Sequence, residues 1–151
     1  MPVHRPSELT LSVANRTDQL GAMIDAAEVF LSGWNVEPSD KQQVLIILDE
    51  VASNVVKCAW PDGTPHVFQI SLRIEPAAPL LHLAIEVVDD GRAFDPTTVP
   101  APDLDAELDA RKPGGLGLFM MREMSDGIDY SRIAGRNHLR VFKRLQPAAG
   151  G

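Results

Sequence analysis

The chain has 151 residues and a single cysteine, Cys58, so no internal disulfide can form and a reducing, cytoplasmic setting is expected. Cationic residues are also scarce: 14 Lys and Arg stand against 21 Asp and Glu, a formal net charge of −7. Binding to nucleic acid or anionic lipid draws on counterion release at a basic surface, so neither is expected as a direct partner. No apolar run is long enough to span a bilayer, and the opening MPVHRPSELT lacks the hydrophobic stretch of a signal peptide. His4, His66, His82 and His138 are dispersed without metal-ligand spacing. Neither a P-loop nor a G-x-S-x-G elbow occurs. What is present is an ordinary globular balance, 44% hydrophobic and 23% charged. At this length such a chain builds one domain over 1–151, with a core over about 7–145.

Periodicity predicts the elements. Leu9, Leu11 and Val13 alternate with polar neighbours and mark a first strand. Asn15 is placed to cap a helix whose apolar face is Leu20, Met23, Ile24, Ala27, Phe30, Leu31 and Trp34. Ser39 followed by Gln42 reads as a capping box opening a second helix to about Ala59, stopped by Pro61-Asp62-Gly63. Two alternating runs, Phe68–Ile74 and Leu81–Val87, predict an antiparallel hairpin through Pro76-Ala77-Ala78-Pro79. Residues 90–114 carry Pro96, Pro100, Pro102 and Pro113 among acids and read as a long lid. A short helix follows Gly117, and Ile128–Ile133 with His138–Leu145 close the chain as a hairpin turning at Ala134–Asn137. The tail from Pro147 reads as frayed. Helices set apart from a mixed, mostly antiparallel sheet predict an α/β (α+β) two-layer sandwich, helices on one face.

The second helix carries a polar stripe on an otherwise apolar segment: Gln43, Glu50, Ser53, Asn54 and Lys57 fall within about one quadrant. Periodicity leaves two readings open. The stripe is a solvated face with Glu50 and Lys57 loosely paired, or Glu50 is a general base and Asn54 offers its amide oxygen to a hard cation such as Mg²⁺. Further on, the strand ending at Val88 runs into Asp89-Asp90-Gly91. A carboxylate there can accept from an exocyclic amine such as adenine N6, or simply start a turn. Gly114-Gly115-Leu116-Gly117-Leu118 opens a helix, where free N–H groups and the helix dipole favour phosphate. With Met120 at its last position the run is not a dinucleotide fingerprint.

The ordered set, E-x-x-x-N on a helix, D-x-G at a strand end, a long lid and G-x-G opening a helix, resembles the GHKL ATPase superfamily with its Bergerat ATP-binding fold. LDEVASNVVKCAWPDG, VVDDGRAFDP and GGLGLFMMREMSDGIDYSRIAGRN look like the anti-sigma factor serine/threonine kinases of partner-switching systems. That resemblance implies Glu50 as base or water-orienter, Asn54 as Mg²⁺ ligand, Asp89 on adenine with Gly91 giving close approach, and Gly115 and Gly117 on the phosphates with the Leu116 and Leu118 amides. Lys57, Phe94 and Gly114 belong to the same motifs and are counted with the ATP-binding residues. Ala93 replaces a second glycine common after D-x-G. Asn137 stands near where a threonine is frequent, and an amide could serve there. Arg92, Arg111 and Lys112 either reach the γ-phosphate or are solvated loop charges.

The implied activity is ATP-dependent phosphorylation of a STAS-domain anti-sigma factor antagonist, with a sigma factor or similar target as second partner and a homodimer as assembly. The alternative is a nucleotide-gated binding module without transfer activity. A histidine-kinase ATPase domain would call for an upstream helical segment with a phosphoacceptor histidine, which this sequence does not contain. Cys58 reads as an inert buried thiol, and Met120, Met121 and Met124 as core filling.

Overall fold

The computed structural model describes residues 5–98 and 115–149. Five strands, β1 (Glu8–Ala14), β2 (Val67–Ala77), β3 (Leu80–Asp89), β4 (Gly127–Ile133) and β5 (Arg136–Leu145), form one sheet in the order β1-β2-β3-β5-β4. Three helices, α1 (Leu20–Gly33), α2 (Pro38–Cys58) and α3 (Gly115–Met124), accompany it. Every ladder is antiparallel, so no parallel pair occurs among the described residues of a sheet expected to be mixed.

The two-residue periodicity of the strands becomes a division between faces. Phe68, Ile70, Leu72 and Ile74 of β2 and Leu81, Leu83, Ile85 and Val87 of β3 are buried. They share one core with Met23, Ala27, Phe30 and Leu31 of α1 and Val44, Ile47, Leu48 and Val51 of α2. The other face is polar, with Arg140 bonded to Glu86 at 3.0 Å and Arg73 near Glu8 at 3.5 Å. No described helix is long and apolar enough to cross a membrane.

Several local expectations are corrected. Asn15 caps no helix: its side chain donates to the Thr64 carbonyl (2.9 Å) and accepts from the His66 N–H (2.9 Å), tying β1 to the loop before β2. A 3₁₀ turn, Thr17–Gln19, leads into α1 instead. The cap of α2 is Glu37, whose carboxylate accepts from the Asp40 N–H at 3.0 Å with Pro38 opening the helix. Backbone N–H groups, Ser39 first and then Asp40, hold the Glu37 pKa below its ordinary value. The capping box from Ser39 to Gln42 therefore gives way to an acid two residues earlier. The tail is docked at its start, since Pro147 bridges Val36 and the Ala148 N–H donates to the Asn35 carbonyl at 2.8 Å. Of the methionines, Met121 is core, Met124 packs against it and Met120 is 41% exposed.

One correction reaches the site. The last hairpin turns on two residues, Ala134 and Gly135, both at positive φ (51° and 77°). Strand β5 therefore begins at Arg136, and Asn137 lies within the sheet, not in the turn. Its cross-strand partner is Asp89.

Candidate functional site

Asp89 continues the inward column of β3. Leu81, Leu83, Ile85 and Val87 point to the helices, and the next inward position is a carboxylate, only 7% exposed. A buried carboxylate needs donors, and two reach the same oxygen: the Gly91 N–H at 2.9 Å and Asn137 Nδ2 at 2.9 Å, both to Oδ1. Asn137 is itself held on every side. Its Nδ2 also donates to the Arg92 carbonyl (2.8 Å), while its Oδ1 accepts from the Tyr130 hydroxyl and from Arg132 Nη1 (3.0 Å).

The loop after Asp89 is strapped to the C-terminal end of α2. The Arg92 N–H donates to the Ala59 carbonyl at 2.8 Å, and Arg92 Nε donates to the Cys58 carbonyl at 2.7 Å. These bonds satisfy carbonyls that a helix end leaves unpaired. They also give Arg92 a place against α2. Gly91 spends its missing Cβ here, against Ala59: a Cβ would lie 2.6 Å from Ala59 Cβ and 2.7 Å from its carbonyl carbon. Backbone cannot yield as a flexible side chain can. Gly91→Ala is therefore expected to cost about 1–3 kcal/mol in urea unfolding.

On α2 the polar stripe divides by role. Gln43 is structural, accepting from the buried Lys143 Nζ at 2.8 Å; that ammonium also donates to the Met124 carbonyl at 2.7 Å, at the end of α3. Lys57 is exposed and lines no part of the cavity, though its charge draws the Glu50 pKa down. Glu50 is half-buried, and its pKa stands above the ordinary value because burial penalises the charged form; Asp49 adds to the rise. Asn54, one turn on, lines the cavity, and its buried Nδ2 has no partner among the described residues. Such an amide is one that the fold leaves to a ligand.

The first turn of α3 meets Glu50 directly, because a Cβ on Gly117 would overlap the Glu50 carboxylate. Glycine disfavours a helix by about 1 kcal/mol relative to alanine, so what it provides here is room. Gly117→Ala should leave the melting temperature little changed, since helix preference offsets part of the clash. It should lower turnover at least about tenfold, because the acid or the helix start must shift. A thermal melt beside a steady-state assay checks both.

Between α2, β3 and β5 lies a pocket of about 440 Å³ including its open mouth. Asn54, Asp89, Asn137, Phe94 and Pro96 line it, with apolar walls from Val51, Val55, Val87 and Leu139. The structure thus brings Asn54, Asp89, Phe94 and Asn137 together in one cavity. It sets Glu50 and Gly117 against each other and places Leu118 in the core. Gly115 and Leu116 begin α3. Gly114, Arg111 and Lys112 lie outside the described residues, as does the lid from 99 onward. Cys58 lines the pocket as a half-buried thiol instead of packing fully away. Sequence reasoning missed Tyr130 and Arg132 of β4. The only available signal was β4's alternation, which puts Tyr130 and Arg132 on the same side as Ile128.

A helix-covered antiparallel sheet with a mostly apolar pocket ending in a buried acceptor suits a nucleotide-using domain of the ATPase kind. The family model described as "Histidine kinase-like ATPase domain" matches residues 13–143, and the chain belongs to that family. Serine/threonine-protein kinase BtrW of Bordetella bronchiseptica is 36% identical over 99 residues, 66% of this chain and 67% of that protein. That relationship makes this chain a kinase-type member of the family, and its nucleotide is ATP. Among solved structures, the RsbU and RsbW domains of a Mycobacterium tuberculosis protein superpose with a TM-score of 0.66 at 13% identity. The match covers 93% of this chain and 33% of that one, so the chain spans a third of that neighbour. The SiaB–SiaC complex of Pseudomonas aeruginosa gives 0.56 at 13% identity, covering 90% and 89%. At such identity these two report on the fold.

Proposed function

We propose that this chain is an ATP-dependent protein serine/threonine kinase acting as an anti-sigma regulatory factor. Its substrate is a STAS-domain anti-sigma factor antagonist, and a sigma factor or similar regulator is its second partner, bound by a homodimer. The observation that carries the catalytic part is the Glu50 carboxylate set against the first turn of α3. The first N–H groups of a helix lack intrahelical acceptors and favour phosphate. A triphosphate whose base reaches Asp89 would run past Asn54 to that helix start, bringing its γ-phosphoryl beside Glu50.

Transfer then needs positioning and charge neutralisation more than covalent work by the protein. The serine or threonine oxygen attacks the γ-phosphorus, the bond to the β-phosphate oxygen breaks, ADP departs, and Glu50 takes the hydroxyl proton. Mg²⁺ fits the donor set. Asn54 lines the cavity with an unpartnered Nδ2, a donor that suits a phosphate oxygen, which leaves its amide Oδ1 as the atom that would meet the cation. A cation held by one or two protein oxygens, phosphates and water is the usual arrangement for Mg²⁺; Asn54 would hold it, and it would supply charge neutralisation to the phosphates.

The test combines purified chain, Mg-ATP and a STAS-domain protein, with the phosphorylated serine or threonine read by mass spectrometry. Nucleotide binding without any phosphorylated product would favour the binding-module alternative. The pH profile adds a second readout. A base must be deprotonated, so the rate should rise with pH through the raised Glu50 pKa, with its acid limb above the ordinary glutamate range.

A further inference from the structure

From the hydrogen bonds around Asp89 we infer that Asn137, braced by Tyr130 and Arg132, is a specificity-determining residue that makes Asp89 accept through one oxygen and so favours 6-amino purines over guanine. This rests on the ATP-binding reading of the pocket and adds to it the means by which the base is chosen.

A carboxylate alone does not select adenine. With both oxygens open it can accept two parallel donors, as it does from an arginine fork. Guanine offers such a pair, N1–H and N2–H, on neighbouring atoms of one edge. Adenine offers one amine, N6. Discrimination against guanine therefore requires that one carboxylate oxygen be taken.

The structure takes it. Oδ1 of Asp89 already accepts from the Gly91 N–H and from Asn137 Nδ2, both at 2.9 Å. Among the described residues no donor is assigned to Oδ2. A single acceptor suits a single amine, and guanine turned to present O6 would set an acceptor against it.

Asn137 can hold Oδ1 only while its amide keeps one orientation, and four bonds fix that. Two are donated by Nδ2, to Asp89 and to the Arg92 carbonyl, and two are accepted by Oδ1, from Tyr130 and Arg132. At 4% exposure water cannot replace them. Arg132 braces both donors at once, since its Nη1 also donates to the Gly91 carbonyl at 2.8 Å. Tyr130 and Arg132 are positioning residues: they act on the base through Asn137 and Gly91.

The experiment titrates the full chain with Mg-ATP and Mg-GTP by calorimetry, and follows thermal melting separately. Wild type should prefer ATP. Asn137→Ala, which removes one of the two donors on Oδ1 and frees a lone pair there, should lower the ATP/GTP affinity ratio about tenfold or more, the worth of one hydrogen bond to a charged group. Arg132→Gln should lower the ratio a few-fold, and because Arg132 is exposed it carries the test if Asn137→Ala fails to fold. A merely structural role would weaken both nucleotides by the same factor; an unchanged or increased ratio in the folded variants overturns the inference. Wild type binding both nucleotides equally would overturn it too, leaving the ATP reading standing. Wild type binding neither would overturn that reading and this one with it.

Discussion

Glu50→Gln should cut phosphoryl transfer by about 10²–10⁴-fold, the usual worth of a positioned general base, while ATP affinity stays within about threefold. The substitution keeps the size of the side chain and its place against Gly117, but an amide cannot take the hydroxyl proton. Single-turnover phosphorylation measured beside nucleotide titration separates the two effects, and equal losses in both would assign Glu50 to binding. The acid limb of the pH profile should vanish in any residual activity. Stability should move the other way. Burial raises the Glu50 pKa, so the group's contribution is fully present below the unfolded-state pKa and is lost as pH rises through the folded-state value. At neutral pH, Glu50→Gln is therefore expected to melt above wild type, with the difference vanishing in acid.

The second large effect belongs to Asp89→Asn, expected to weaken ATP by about two orders of magnitude with little change in the melt. The replacement can keep an oxygen at the Oδ1 position, where Gly91 and Asn137 donate, so the loop and β5 retain their bonds. It places an NH₂ group where the base amine arrives. Two donors facing one another, at a position only 7% exposed, lose the bond and add repulsion. Calorimetry with Mg-ATP reads the loss; unaltered affinity would remove Asp89 from the base and move the nucleotide elsewhere. Because the two substitutions act at opposite ends of the proposed ligand, one should spare binding and the other should not.

The hydrophobic pattern made the strands, the two long helices and the last hairpin legible. Alternation in Leu81–Val87 and the face formed by Val44, Ile47, Leu48 and Val51 have no other use than to meet across a core. Glu50, Asn54 and Asp89 stood out for a related reason: each is polar where the period calls for burial, which is costly unless a partner or ligand is near. The stripe on α2 could not be sorted by spacing. Lys143, a hundred residues away, occupies Gln43, and α3 meets Glu50 while Lys57 stays exposed. Capping was misread at Asn15 and Ser39 because both lie where a nearer partner competes: the loop at Thr64–His66 for one, the Glu37 carboxylate for the other.

By itself, then, the chain's order of residues determined which segments are helix and strand, which faces they bury, and which few polar groups are set against apolar surroundings. Those properties follow from local period and burial, and neither depends on a distant partner. Which of those groups share a cavity was decided only on folding, by the β3–β5 register that sets Asp89 opposite Asn137 and by the contact of α3 with Glu50. The pairing joins residues 48 apart in the chain, and a one-residue slip would turn Asn137 to the opposite face of the sheet. Nothing in the neighbourhood of Asn137 along the chain specifies that register; the packing of the whole sheet against its helices does.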